Sequence, residues 1–170
     1  MKLIRDQKVV EDDTVKLDDT AALPASGRII VSLARWHAEK DALKKRGQVG
    51  TQIPPTLEVG ELKDDLPCLA CIELTFAFIK PKPEGGITFD GRAYSQARLL
   101  RERYGYKGDI RAVGDIFRDT IFAMHRCGIN VIEPKAGLDA QDALNAFKDF
   151  SLAYQTAADR QPSIFRRRLA

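Results

Sequence analysis

Histidine, tryptophan and cysteine are scarce in this 170-residue chain, which has two, one and three of them. Three cysteines are an odd number, and an odd number argues against a disulfide framework. The two histidines, His37 and His125, are far apart in sequence, and no Ser–His–Asp or Cys–His nucleophile set can be assembled around them. "CLAC", Cys68 to Cys71, is a C-x-x-C that runs into an apolar segment. A redox pair wants its first cysteine exposed at a helix N-terminus, and a zinc centre wants four ligands. Both cysteines are therefore expected to pack in the core, and no metal site is expected. Glycine-rich phosphate motifs of the G-x-G-x-x-G or G-x-x-x-x-G-K-[ST] kind are also missing, which excludes a nucleotide site of the usual sort.

Long hydrophobic runs are absent too. Nothing approaches the roughly 18 apolar residues of a membrane span, and "MKLIRDQKVVEDD" lacks the apolar core of a secretory leader. A cytoplasmic protein without a membrane partner is expected. Charge of one sign is nearly balanced: 27 basic against 24 acidic residues give a net charge of +3. That excess does not point to nucleic acid, and part of it sits in the closing "IFRRRLA".

What is present is an ordinary globular balance of 44% hydrophobic and 30% charged residues, enough for one domain with its own core. Residues 1–27 read as a small N-terminal hairpin or arm with a turn near Asp6 and Gln7. From residue 28, apolar strands alternate with amphipathic helices. "RIIVSL" precedes a helix ending at Gly47, "CIELTFAFI" is the strongest strand, and "DIRAV" and "INVIE" follow. This order predicts an α/β domain over 28–156: a three-layer, mainly parallel sheet of about five strands with helices on both faces. A partial barrel stays open, whereas a full eightfold barrel usually needs at least about 200 residues. "LDAQDALNAFKDFSLAYQ" reads as the last helix, and 157–170 as a flexible basic tail.

Ligands of parallel sheets lie beyond the carboxyl ends of the strands. That rule selects the Pro/Gly-rich loop "KPKPEGGITFDG" and the turns after residues 113 and 133. Asp90 and Asp115 are expected to cap helices there, and helix N-termini favour anions. The candidate anion- or partner-binding residues are Asp90, Arg92, Tyr94, Arg98, Arg111, Asp115 and Arg118. Packing is the simpler role for Tyr94, and Arg98 has Glu102 at i+4 as a helical partner. Glu73 and Arg111 would form a partly buried pair if their strands are neighbours. On the helix after Asp115, Arg118, Phe122, His125 and Arg126 make an exposed strip of cations and aromatics that could meet a partner. A solvated helix face is the plainer account of that strip.

Several runs carry a resemblance. "DGRAYSQARLLR" spans Asp90 to Arg101, "RAVGD" spans Arg111 to Asp115, and "RCG" spans Arg126 to Gly128. "FSLAYQ" covers Phe150 to Gln155, and the W-x-x-x-x-D-A-L pattern covers Trp36 to Leu43. Over most of residues 28–156 the chain resembles a family of small, uncharacterised proteobacterial proteins. These are described as oxidoreductases of sulfite reduction and are typically encoded beside the sulfite reductase hemoprotein. The chain departs from that pattern by inserting "IKPKPEGGIT" before D-G-R. The resemblance implies an accessory or regulatory role in sulfite and sulfate assimilation, with sulfite reductase as partner. It supplies no mechanism: no siroheme, iron–sulfur, flavin or nicotinamide motif is visible, and no cofactor is expected. A siroheme–iron–sulfur enzyme also needs four cysteine ligands, one more than this chain holds. The alternatives are a small anion-binding enzyme using the strand-end crevice, or a structural homo-oligomer without a ligand.

Overall fold

The computed structural model describes residues 2–79, 88–151, 153–159 and 163–168. Among the described residues there are ten strands: β1 (Lys2–Arg5), β2 (Lys8–Glu11), β3 (Thr14–Lys16), β4 (Arg28–Ser32), β5 (Val49–Ile53), β6 (Cys71–Phe76), β7 (Phe78–Ile79), β8 (Thr88–Phe89), β9 (Asp109–Gly114) and β10 (Val131–Ile132). The helices are α1 (Leu33–Ala38), α2 (Lys40–Arg46), α3 (Arg92–Glu102), α4 (Arg118–Arg126), α5 (Ala140–Asn145) and α6 (Ile164–Arg168). Residues 80–87, which include most of the Pro/Gly-rich loop singled out by the sequence, lie outside the described residues.

Eight strands form one sheet in the order β2-β1-β10-β9-β6-β5-β4-β3, and β7 pairs with β8 in a separate hairpin. The run from β3 to β10 is parallel throughout, while β1 joins β10 and β2 in antiparallel fashion. The expectation of about five parallel strands is thus corrected to eight strands of mixed orientation. The extra ones come from the N-terminal arm. Asp6 and Gln7 both take positive φ, 48° and 60°, the turn geometry whose twist suits a two-residue hairpin. The expected turn is therefore where the sequence placed it, but its hairpin is built into the main sheet.

The sheet curls until its ends meet. In a flat sheet β2 and β3 would lie about 34 Å apart, at roughly 4.8 Å per strand. In the chain they are separated by Asp12 and Asp13 alone, a gap that three peptide steps of at most about 3.6 Å must cross. β2 and β3 also run in the same direction, because β1 reverses once against β10 and β2 reverses again. Residues 8–16 therefore act as one strand whose first half pairs with β1 and whose second half pairs with β4. Side chains confirm the curvature. Lys16 Nζ lies 4.0 Å from Glu133 Oε2 beyond the end of β10, although β3 and β10 are five places apart in the sheet.

The two faces differ sharply. Ile29, Val31, Val49, Ile53, Ile72, Leu74, Phe76, Ile110, Ala112 and Ile132 point outward and join one core cluster. Trp36, Leu43, Ala97, Leu100, Ile121, Met124, Ala143 and Ala146, from the covering helices and the turn after α5, belong to that same cluster. The helices thus lie outside a curled sheet, and the third layer expected from sequence is absent among the described residues. The physical reason is the strand order. Each successive parallel strand is added on the same side of the last, and right-handed crossovers then place every helix on one face.

The helix read over "LDAQDALNAFKDFSLAYQ" is shorter than its periodicity suggests. α5 passes into a 3-10 turn at Ala146–Lys148, and the regular helix stops there. Ala143 and Ala146 are buried, while Asp149, Phe150 and Ser151 are exposed. Among the described residues just beyond Lys148, no apolar stripe is buried to hold a helix against the core. Among the described residues, no helix is long and apolar enough to cross a membrane.

Candidate functional site

The inward face of the curled sheet mixes buried Ile30, Val113 and Val131 with polar and charged side chains, unlike the purely branched aliphatic filling usual in parallel barrels. Register places Cys71 beside Asp109, Glu73 beside Arg111, and Gln52 beside Glu73. Residues paired in this way point to the same face. At the amino end, Arg28 Nη1 lies 3.0 Å from Asp109 Oδ2, and Arg5 Nη2 lies 3.5 Å from the same oxygen. One layer higher sits a five-residue ion network. Arg111 Nη2 donates to Asp12 Oδ2 at 2.7 Å and to Glu133 Oε2 at 2.6 Å. Arg111 Nε is 3.3 Å from Glu73 Oε2, and Lys16 Nζ is 3.0 Å from that oxygen. Arg111 is 2% exposed and Glu73 1%. The Glu73–Arg111 pair anticipated from sequence is therefore present as neighbours on β6 and β9, within a larger network.

Charge in so dry a place perturbs titration. Burial raises the Glu73 pKa above the ordinary glutamate value, with help from the Glu133 carboxylate; Lys16 and Arg111 only partly oppose it. Burial alone would also raise Asp12. Hydrogen bonds from Arg111 and the Thr14 N–H, with the guanidinium charge, bring it below the usual aspartate value instead. For Arg111, burial favours the neutral form, but hydrogen bonds to Asp12 and Glu133 outweigh it and hold the proton more tightly. Cys71 faces the same interior, where burial and the nearby Asp109 carboxylate push its thiol up to about 12. It is thus an inert thiol, as packing predicts. Cys68 is exposed, contrary to the expectation for it, because it ends a surface 3-10 turn.

Above this layer the carboxyl ends of the strands form a mouth. A cavity of ≈ 380 Å³ is lined by Ser32, Gln52, Pro54, Pro55, Thr75 and Asp90, among others. Asp90 and Asp115 are both pinned to the chain leaving β6: the Asp90 N–H donates to Ala77 O at 3.0 Å, and Asp115 Oδ2 accepts from the Phe78 N–H at 3.3 Å. The turn between β9 and Asp115 requires glycine. Gly114 has φ +102°, and a Cβ there would sit 2.3 Å from Phe76 O.

The candidate residues do not converge on one pocket. Asp90 is mostly buried and accepts the Arg92 N–H at 3.0 Å while holding the Arg92 guanidinium with both oxygens. Tyr94 packs edge-on against Phe76 at 4.9 Å, and burial, assisted by nearby Cys127 and Asp119, pushes its hydroxyl up to about 12. Arg98 points outward and pairs with Glu102 at 2.9 Å. Arg111 is inside the curled sheet. Asp115 binds Lys135 at 2.7 Å, and that hydrogen bond, joined by the Phe78 N–H, lowers its pKa. It does not cap α4, whose first turn is closed by Thr120 Oγ1 donating to Phe117 O at 2.7 Å. Arg118 is clasped by Asp142 at 3.0 Å and by both oxygens of Asp149 at 2.6 and 2.8 Å. Arg92 and Arg118, offered as oxyanion holders, and Arg98, offered as an anion- or partner-binding residue, thus already carry carboxylate partners. Among the described residues, no group of three or more His, Cys, Asp or Glu is arranged to hold a metal.

Sequence reasoning missed Asp12 and Lys16, because they belong to an arm far from Glu73 and Arg111 along the chain. The available signal was the alternation in "TVKL", which sets Thr14 and Lys16 on one side and Val15 and Leu17 on the other. It also missed the covering of α4. Phe150 packs at a tilt against Phe122, ring centroids 5.0 Å apart, and Phe147 meets His125 edge-on at 5.3 Å. Arg126 pairs with Asp159 at 3.2 Å. The strip on α4 expected to be exposed is therefore occupied by the chain's own C-terminal segment.

No curated protein matches the chain. Residues 50–165 match a bacterial protein family of unknown function, DUF934, and the chain belongs to that family.

Proposed function

We propose that this DUF934 protein is an accessory or regulatory component of sulfite and sulfate assimilation that acts by docking on a partner, with sulfite reductase the partner to test. The pathway is supported by the resemblance to proteins encoded beside that enzyme. The docking mode is carried by one observation, the gathering of exposed aromatics near the C-terminus. Phe150, Tyr154 and Phe165 are 62%, 65% and 60% exposed, and they make up three of the six large apolar side chains exposed among the described residues. Aromatic side chains supply much of the binding energy at protein interfaces. Tyr154 and Phe165 also touch each other, with ring centroids 6.0 Å apart. Co-purification of the full chain with sulfite reductase tests the reading. A complex is expected, weakened at least about tenfold by replacing Tyr154 and Phe165 with serine, since each anchor is worth about 1 kcal/mol or more. Absence of a complex, together with normal sulfite reduction in a deletion strain, overturns it.

A second reading puts a small ligand at the mouth of the curled sheet. It is favoured by the charged interior beneath the ≈ 380 Å³ cavity. The carboxylates on Arg92 and Arg118 weigh against an oxyanion at those residues. Thermal shift with sulfite, sulfate and adenylated sulfate at millimolar concentration decides the anion version. A rise in Tm supports it, and no rise removes it, because stabilisation follows ligand saturation.

A further inference from the structure

Arg118, Phe122 and Arg126 stand at i, i+4 and i+8 on α4, so they form one stripe about 12 Å long, cation–aromatic–cation. The residues that meet this stripe from 149–159 mirror it. Asp149 takes Arg118 with both oxygens, at 2.6 and 2.8 Å. Phe150 packs against Phe122 with ring centroids 5.0 Å apart and planes tilted by 49°, and Asp159 pairs with Arg126 at 3.2 Å. Two backbone contacts complete the match: Arg126 Nη2 donates to Gln155 O, and the Ala158 N–H donates to Arg126 O at 3.0 Å.

The two sides of this contact are not equally anchored. α4 is fixed from beneath by fully buried Ile121 and Met124. Residues 140–148 are fixed by buried Ala143 and Ala146. From Asp149 to Asp159 the described residues form no helix or strand, and none of them is in the buried class. Among the described residues, the contacts that hold them include the ion pairs, the aromatic contact and the two contacts just named, together with the Asp149 N–H donating to Ala146 O at 3.3 Å, while Tyr154 is turned outward.

We propose that the outer face of α4 is a docking surface for an acidic peptide segment bearing an aromatic residue between carboxylates, and that residues 149–159 occupy it as an internal stand-in. A partner segment of that chemistry gains Arg118, Phe122 and Arg126 by displacing residues 149–159, and Tyr154 is then released together with Phe150. This rests on the docking reading above and specifies the partner's chemistry. Charge complementarity names the occupant: each cation of the stripe meets an aspartate, and the aromatic meets an aromatic.

The test uses a fluorescent peptide with the sequence of residues 147–159 and the full-length protein. Wild type binds it weakly, because the internal copy competes. Asp149→Asn combined with Asp159→Asn loosens the internal copy and leaves α4 intact. This variant should bind the peptide at least tenfold more tightly and show faster hydrogen exchange at Ala158. Adding Phe122→Ala and Arg118→Ala should abolish the gain. Equal peptide affinity for wild type and the loosened variant, with exchange at Ala158 accelerated, overturns the proposal. Unchanged exchange also overturns it, because the segment is then held by something other than these pairs. Phe150→Ala provides the same comparison through an exposed residue, should the double variant fold poorly. The outcomes are separable from those of the partner reading. Peptide binding without capture of sulfite reductase keeps the docking surface and removes that partner. Capture of sulfite reductase that the peptide does not compete away removes the surface and keeps the partner.

Discussion

Replacing Arg111 with methionine tests whether the curled sheet is held shut by charge. The substitution keeps most of the side-chain volume but leaves Asp12, Glu73 and Glu133 facing one another with Lys16 as the remaining cation of the network. Removing one partner from a buried, hydrogen-bonded ion network typically costs about 3–5 kcal/mol. For a chain of this length, at roughly 2–4 °C per kcal/mol, the melting temperature should fall by about 6–20 °C. The loss should depend on pH. In the wild type the Asp12 pKa is lowered from 3.8, so its contribution is complete above that value and disappears as pH falls through the depressed folded value. In Arg111→Met that contribution is gone, and the stranded carboxylates titrate above their unfolded values. Groups raised in this way favour the folded state at low pH, so the deficit should be largest near pH 8 and shrink towards pH 5. Glu73→Gln is the contrasting variant. The wild-type Glu73 pKa is already raised from 4.5 by burial, so glutamate loses stability as pH climbs from 4.5 through its folded value, and glutamine does not. Urea denaturation from pH 5 to 8 should therefore show Glu73→Gln equal to or above wild type at pH 8, and Arg111→Met far below it. A deficit under about 1 kcal/mol for Arg111→Met, flat across pH, would refute the reasoning, because the carboxylates would then be solvated rather than enclosed.

Gly114→Ala should cost about 1–3 kcal/mol in urea denaturation, since it combines a φ of +102° with a backbone oxygen 2.3 Å from the new Cβ. Arg92→Ala should move the urea midpoint little, because the Arg92 side chain is half exposed and its ion pair is screened by solvent. It should also leave any sulfite or sulfate thermal shift unchanged, since the Arg92 guanidinium is already engaged by Asp90. Asp65 is buried; burial would raise its pKa, but hydrogen bonds from Lys40, Trp36 and Lys44 prevail and lower it from 3.8. Its contribution is thus present above that value and lost as pH falls through the lowered one. Asp65→Asn should flatten the acid limb of the stability profile below pH 4 and shift the fluorescence of Trp36, whose Nε1 donates to Asp65 at 3.1 Å.

The parallel core was readable because its signals are local. Apolar runs such as "RIIVSL" and "CIELTFAFI" and helix-ending glycines such as Gly47 act over a few residues. The N-terminal turn was readable for the same reason. What escaped was closure. Nothing near Asp12 or Lys16 indicates that they meet Arg111 and Glu73, because that meeting depends on how the strands add around the curve. The three-layer expectation failed on the same point: an alternating strand–helix order suits an open sheet and a curled one equally, and strand order alone decides between them. At the site, the sequence located Arg118, Phe122, His125 and Arg126 on one face of a helix. It could not show that the acidic residues completing their environment return from 142–159. Charged residues at helical spacing look solvent-exposed until a later segment covers them.

Closing the sheet through a single strand at residues 8–16 also sets the order of assembly. Ile4 pairs with Ile132, so the N-terminal hairpin cannot be seated until β10 has been made. At roughly 5–20 residues per second on the ribosome, that delay lasts several seconds to some tens of seconds. The helix-covered core from β4 to β9 rests on neighbours in the chain and can form meanwhile, since short-range contacts cost less loop entropy. The segment synthesised before the core is thus the one placed after it. Its arrival converts an open parallel sheet with two bare edges into a ring, and brings Asp12 and Lys16 to charges that had been waiting in water.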